Sequence, residues 1–198
     1  MKKTAAIGYC VGGTFPLVLG SVALTLFLLS ARPAGAAEDT FSPEEIVTKA
    51  KDFFGATSKG LAEAIEKVFK EKGRPNGYIT GEEASGAVGI GVRYGKGHLH
   101  TKKHGSHKVY WQGPSVGFDL GGDAAKVFTL IYNLQKVDEL YQRFPGAEGS
   151  LFLVAGFAVS YQQSGNIILA PIRTGAGWRT GVDVGYVHYS KDSSWVPF

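Results

Sequence analysis

The chain has 198 residues, with 21 Lys+Arg against 17 Asp+Glu and a formal net charge of +4. Lys2, Lys3 and Arg32 stand in the first 36 positions, so the other 162 residues carry 18 basic against 17 acidic groups, which excludes the strongly basic face of a nucleic-acid binder. The single cysteine, Cys10, lies in the same opening stretch, so the remainder has neither a disulfide nor a thiol nucleophile and depends on a hydrophobic core.

The opening stretch has the parts of a bacterial secretory leader. Lys2 and Lys3 precede an apolar run from Ile7 to Ser30, and Ala34-Gly35-Ala36 supplies a small-x-small cleavage site before Ala37. Cys10 follows Ile7-Gly8-Tyr9, which is not a lipoprotein signal, so no lipid anchor is expected on it. The apolar run is about 24 residues, long enough to span a bilayer, which leaves an uncleaved anchor as the alternative. The expected division is a signal peptide over 1–36, a helical segment over 37–72 and a glycine-rich β-barrel domain over 73–198, with the mature protein in the periplasm.

Ser42-Pro43-Glu44-Glu45 predicts a helix start, with Ser42 as N-cap, Pro43 in the first turn and Glu45 closing a capping box. Phe41 is placed to staple onto Ile46. Ile46, Val47, Ala50, Phe53 and Phe54 repeat at three and four, and Gly55 ends the helix. A second helix is predicted from Thr57 or Ser58, with Leu61, Ala62, Ile65, Val68 and Phe69 on one face. Glu63–Lys67 and Glu66–Lys70 pair along its outside, and Gly73 stops it.

From Tyr78 onward the period becomes two. Strands are predicted near 77–81, 86–94, 97–102, 108–112, 115–121, 126–132, 150–161, 166–171 and 177–189. Turns are predicted at Gly95-Lys96-Gly97, His104-Gly105-Ser106 and Ser164-Gly165-Asn166. One helix interrupts near 134–143, with Val137, Leu140 and Tyr141 inward. The fold class is mainly β (α+β): a small, roughly eight-stranded antiparallel barrel with an N-terminal helical pair and one inserted helix. In three strands a bulky face alternates with a glycine face, as in Val88, Ile90, Val92 and Tyr94 against Ala87, Gly89, Gly91 and Arg93. The bulky face is expected to build the core and the glycine face to permit curvature or close docking.

Several blocks resemble, in order and spacing, the envelope integrity protein A family of alphaproteobacterial periplasmic proteins. They include Gly73-Arg74-Pro75-Asn76-Gly77-Tyr78-Ile79, Val109-Tyr110-Trp111-Gln112-Gly113-Pro114-Ser115, Tyr141-Gln142-Arg143-Phe144-Pro145-Gly146 and Asn166-Ile167-Ile168-Leu169-Ala170-Pro171-Ile172-Arg173. The resemblance runs over about 53 to 198. It implies a small periplasmic barrel that helps keep the cell envelope intact, with no catalytic residues to carry over. The glycine-rich barrel is also similar, more distantly, to the lipid-binding SYLF domain. The chain departs from the family's pattern at His98, His100 and Asp183.

Three constellations bear on chemistry. Gly113-Pro114-Ser115-Val116-Gly117 fits the G-x-S-x-G of a nucleophile elbow, with Asp119 or Asp183 and His188 following in hydrolase order. An elbow needs a strand-to-helix turn, whereas Ser115 leads into strand-like alternation. The second is a basic hairpin. Lys102, Lys103, His104, His107 and Lys108 form a candidate contact for an anionic partner, an envelope lipid or an anionic polysaccharide. His98 and His100 share a strand face as a metal pair would, but no acid stands between Glu83 and Asp119, so no metal or cofactor is expected. The third is the set of charges on the glycine faces, Arg93, Asp119 and Asp183, a candidate polar network inside the barrel. Trp111, Tyr110 and Trp178 are candidates to line a lipid or glycan site.

Together these point to a non-enzymatic periplasmic protein in peripheral contact with the envelope. The alternatives are an outer-membrane β-barrel, against which Val127-Phe128-Thr129-Leu130-Ile131 and Leu151-Phe152-Leu153-Val154-Ala155 are apolar on both faces, and a serine hydrolase using Ser115.

Overall fold

The computed structural model describes residues 39–55, 59–119, 124–146, 151–154, 156–174 and 185–194, with 85–90, 115–119 and 124 described by their backbone alone. The expectations for the leader, Trp178 and Asp183 fall outside these residues.

Local chemistry sets the first helix, α1 (Pro43–Phe54). The Glu45 N–H donates to Ser42 Oγ at 3.2 Å, and the Ser42 N–H donates to Glu45 Oε2 at 2.6 Å, so both arms of the capping box are made. Gly55 takes φ +69°, and its N–H returns to the Lys51 carbonyl at 2.9 Å. Ile46 and Ala50 are the buried stripe. Helix α2 (Lys59–Lys72) buries Leu61, Ala64, Ile65 and Val68. Glu66 and Lys70 pair at 2.8 Å as predicted. Glu63 instead pairs with Lys59 at 3.7 Å, because Lys67 lies 3.7 Å over the Phe152 ring.

The strands are β1 (Gly77–Thr101), β2 (Gly105–Asp119), β3 (Ala124–Tyr132), β4 (Arg143–Pro145), β5 (Phe152–Val154), β6 (Phe157–Val159), β7 (Gln162–Ser164), β8 (Ile167–Thr174) and β9 (Tyr186–Ser190). They form one antiparallel sheet in the order β4-β9-β2-β1-β3-β8-β6-β5, with β7 also on β8. The sheet curls into a barrel-like shell, and an isolated bridge from Gly146 to Gln162 ties the end of β4 to β7.

Gly95-Lys96-Gly97 is not a turn but lies within β1, which runs unbroken through three predicted strands. Residues 77–84 pair with β3 and residues 87–101 pair with β2. The strand folds its first half against its second, and glycine makes the crossing fit. A Cβ on Gly81 would collide with the Lys96 carbonyl oxygen and stand 2.9 Å from Gly97 Cα, and one on Gly95 would overlap the Trp111 indole.

Two cores result. Inside the shell, Ile79, Leu99, Val109, Trp111, Ile131 and Phe144 pack together with their neighbours on β8 and β9. On the outside, α1 and α2 lay Ile46, Leu61, Ile65 and Val68 over Tyr78, Phe128, Leu130 and Ile172. Strand β3 serves both cores in strict alternation: Val127 and Ile131 face in, Phe128 and Leu130 face out. Each such side chain fully buried contributes roughly 1.5–3 kcal/mol.

Three expectations change. The inserted helix is only a 3-10 turn, Val137–Leu140, although Leu140 is buried and Val137 and Tyr141 pack inward as predicted. The 150–161 strand divides into β5 and β6, hinged at Gly156 with φ +95°. Phe152 and Val154 pack beneath the helices while Leu153 is 64% exposed, so only one face of β5 is covered. Finally, where side chains are described, the glycine face of β1 is the inward one. Arg93 and Leu99 are buried, while Val92 and Tyr94 are half-buried on the outside. A curved strand crowds its concave face, and small residues fit there.

Candidate functional site

The β1–β2 hairpin positions the basic residues. Thr101 stands opposite Gly105, which takes φ +73°, leaving Lys102, Lys103 and His104 as the tip. The His104 N–H donates to Thr101 Oγ1 at 2.9 Å and fixes the turn. The tip is then fastened to its surroundings. Lys102 Nζ meets Glu45 at 3.0 Å from Oε1 and 3.2 Å from Oε2, and sits 5.1 Å over the Phe41 ring. The Glu45 carboxyl is held below the ordinary carboxylate value first by its bond to the Ser42 backbone and then by Lys102. His104 Nε2 reaches the Gln135 carbonyl at 2.9 Å, and His107 Nε2 reaches the His104 carbonyl at 2.7 Å.

The predicted five-residue contact therefore divides. Lys102, His104 and His107 have intramolecular partners, while Lys103 and Lys108 stand exposed. The register adds Lys96 to this surface, a residue the sequence did not single out. His98 is opposite Lys108, Lys96 is opposite Tyr110, and Tyr94 is opposite Gln112. Even-numbered residues of both strands thus make one outer strip, with Lys96, His98 and Lys108 exposed on it. Parity with His98 was the available signal for Lys96; the misplaced turn at 95–97 hid it.

His98 and His100 share that face with ring centres 6.4 Å apart. His100 stacks on Tyr78 at 4.8 Å, and its Nε2 lies 3.3 Å from Thr80 Oγ1. Burial, then the nearby charges of His98 and Lys49, hold its pKa below the usual histidine value. No group of three metal-ligating side chains converges among the described residues.

On the inward side of β1, Arg93 belongs to a buried ionic cluster whose carboxylate is Glu83. Arg93 Nη1 lies 3.8 Å and Arg173 Nε 3.3 Å from Glu83 Oε1, the latter an ion pair without hydrogen-bond alignment. The Trp111 indole N–H donates to Glu83 Oε2 at 2.7 Å. Arg93 Nε donates to the Pro114 carbonyl at 3.3 Å, and Arg173 Nη1 donates to Ser160 Oγ at 3.2 Å. The Asp119 backbone is paired with Ala87 at the end of the β1–β2 ladder, its side chain being outside the described atoms, and Asp183 lies outside the described residues. Sequence reasoning missed Glu83 and Arg173, although Glu83 shares the odd parity of Ile79 and Arg93.

A groove of about 380 Å³ opens on the outer strip beside the segment that follows β9. Tyr94, Tyr110 and Gln112 line it with Glu82, Lys96 and Ser193. Trp111, expected with Tyr110 at a binding site, is buried beneath Gly95 and joins this groove only at its floor. Ser115 falls within β2 opposite Gly91, so the strand-to-helix turn of a nucleophile elbow is not formed at Gly113–Gly117.

The chain matches the family model described as envelope integrity protein A over residues 39–198. It is also similar to a crystal structure described as a β-barrel-like, uncharacterised protein from Brucella abortus. The two share 48% identity with a TM-score of 0.74, over 81% of this chain and 99% of that one. No curated protein matches.

Proposed function

We propose, from the premise that this chain belongs to the envelope integrity protein A family, that it is a non-enzymatic periplasmic protein that touches the envelope peripherally through the β1–β2 hairpin. Its partner is anionic: a lipid headgroup or an acidic polysaccharide. The observation that carries this reading is the tip end of the outer strip, where Lys108 stands exposed opposite His98 across the ladder and Lys103 stands exposed at the tip. No acid occurs between Glu83 and Asp119 in the sequence, and the nearby Glu45 is engaged with Lys102. Lys103 and Lys108 therefore present positive charge that no carboxylate of the hairpin offsets, so an external anion gains by binding there.

The alternatives find less support. A lipid-facing barrel presents an apolar outer band, whereas here the helices cover the apolar outside of β3 and β8, and Lys96, His98 and Lys108 stand exposed on the outside of β1 and β2 toward the hairpin tip. The only hydrolase motif sits in a strand.

Co-sedimentation with vesicles tests the proposal. Binding to phosphatidylglycerol vesicles at low salt, release at high salt and no binding to phosphatidylcholine are expected. Each lysine near an anionic surface adds roughly 1 kcal/mol, so K103Q/K108Q loses roughly 2 kcal/mol of binding. Equal binding to neutral vesicles, or an undiminished double variant, overturns the reading. Cell fractionation with N-terminal sequencing tests the compartment: a mature start at Ala37 supports it, and an intact Met1 in the membrane fraction counts against it.

A further inference from the structure

We propose that the groove beside the basic strip is a sugar-binding site for one or two neutral pyranose units of an envelope glycan. Its walls are phenol rings. Tyr94 and Tyr110 are diagonal neighbours on one face of the β1–β2 ladder, since Tyr94 stands opposite Gln112 and Tyr110 opposite Lys96. Its floor is a strand glycine, Gly95, under which the Trp111 indole fills the place a side chain would take. Its lining is polar on one side, with the exposed Glu82 carboxylate and Lys96 ammonium and the Ser193 hydroxyl. At about 380 Å³ it is within the size range of small-ligand sites.

This combination selects among ligand classes. A pyranose has C–H faces that pack against aromatic rings, and hydroxyls around its edge that need both donors and acceptors. The rim supplies an acceptor in Glu82, a donor in Lys96 and a hydroxyl of both kinds in Ser193. Tyrosine suits such a place because it offers an apolar face beside a polar tip. An acyl chain is disfavoured, since it would strip water from Glu82 and Lys96 without replacing their hydrogen bonds. A phosphate is disfavoured as well, because the Glu82 carboxylate offsets the Lys96 charge. The site thus differs in kind from the basic strip: it reads hydroxyl geometry rather than charge, and its binding is insensitive to salt.

The test uses protein purified from the envelope fraction, with chitotriose and maltotriose as neutral probes and lauric acid as the apolar one. Saturation-transfer NMR and tryptophan fluorescence are the readouts. At least one trisaccharide is expected to bind saturably at high salt, with Tyr110→Ala weakening it by about tenfold, or 1.4 kcal/mol. K103Q/K108Q should bind the sugar like the parent chain, which separates this site from the vesicle-binding strip. Glu82→Gln, on an exposed side chain, provides a second variant should Tyr110→Ala fail to fold, and is expected to weaken the sugar without altering the circular dichroism. No saturable binding of either sugar, unchanged binding in whichever variant folds, or capture of lauric acid alone overturns the proposal.

Discussion

On the inward side of β1, Glu83 is 7% exposed and meets two guanidinium groups and an indole N–H; on the outward side of the same strand, Lys96 and His98 stand in solvent beside Tyr110 and Lys108. The two charge sets differ in what surrounds them. Inside, removal from water is offset only by partners, so each charge is tied to others and to the fold. Outside, water and salt already stabilise the lysines, and they remain available for something else. Charge within the shell is therefore committed to stability, whereas charge on the strip is left for the binding proposed above.

Removing the inner carboxylate is the most severe test of that separation. Glu83→Gln leaves Arg93 and Arg173 facing an amide and withdraws the charged acceptor from Trp111. A loss of about 3–5 kcal/mol in denaturant unfolding is expected, as for other broken buried pairs. A loss below about 1 kcal/mol would place the cluster with surface ion pairs instead.

A purely steric change comes next. Gly95→Ala drives a methyl into the Trp111 ring and should cost about 1–3 kcal/mol. Trimming the ring in Gly95→Ala/Trp111→Leu should give a total loss smaller than the sum of the single losses, which a double-mutant cycle measures. Strict additivity would mean that the two do not meet.

These two positions also show what could be read from the chain. Helix α1 was legible because each of its determinants joins residues no more than four apart: the Ser42–Glu45 box at one end, Gly55 returning to Lys51 at the other and apolar spacing between. The residues of β3, apolar on both faces in sequence, are covered on both, by the shell core on one side and the helices on the other. Gly95-Lys96-Gly97 misled because a glycine required by a close approach carries the same local signal as one required by a turn. Only the distant Trp111 and Thr80 distinguish them. Glu83 was illegible for a similar reason, since its partner Arg173 arrives from the far end of the chain on β8. The basic tip was visible in sequence, but not its division into fastened and exposed members.

That division predicts a smaller effect. Lys102→Gln should cost at most about 1 kcal/mol of stability and little vesicle binding, because its ammonium is engaged by Glu45. K103Q/K108Q should do the reverse, leaving stability within about 0.5 kcal/mol while lowering vesicle binding. Thermal melts and co-sedimentation on the same samples check both. Equal behaviour of the two variants would erase the distinction between fastened and exposed lysines.

The smallest effect lies where the two regions meet. His100 is on the outer strip yet half-buried against Tyr78, and its pKa is held below 6.5 by burial first and then by the charges of His98 and Lys49. A base whose folded pKa is depressed binds fewer protons in the native state than in the unfolded chain between the two values. Stability therefore rises with pH through that window. Acidification below the ordinary value of 6.5 should erode stability until the folded His100 also protonates. Denaturant titrations from about pH 7 to about pH 5, for the parent chain and for His100→Gln, isolate the contribution. The variant should show a shallower decline over that range. An identical slope would mean that His100 titrates alike in the folded and unfolded chains and belongs, electrostatically, to the solvated strip.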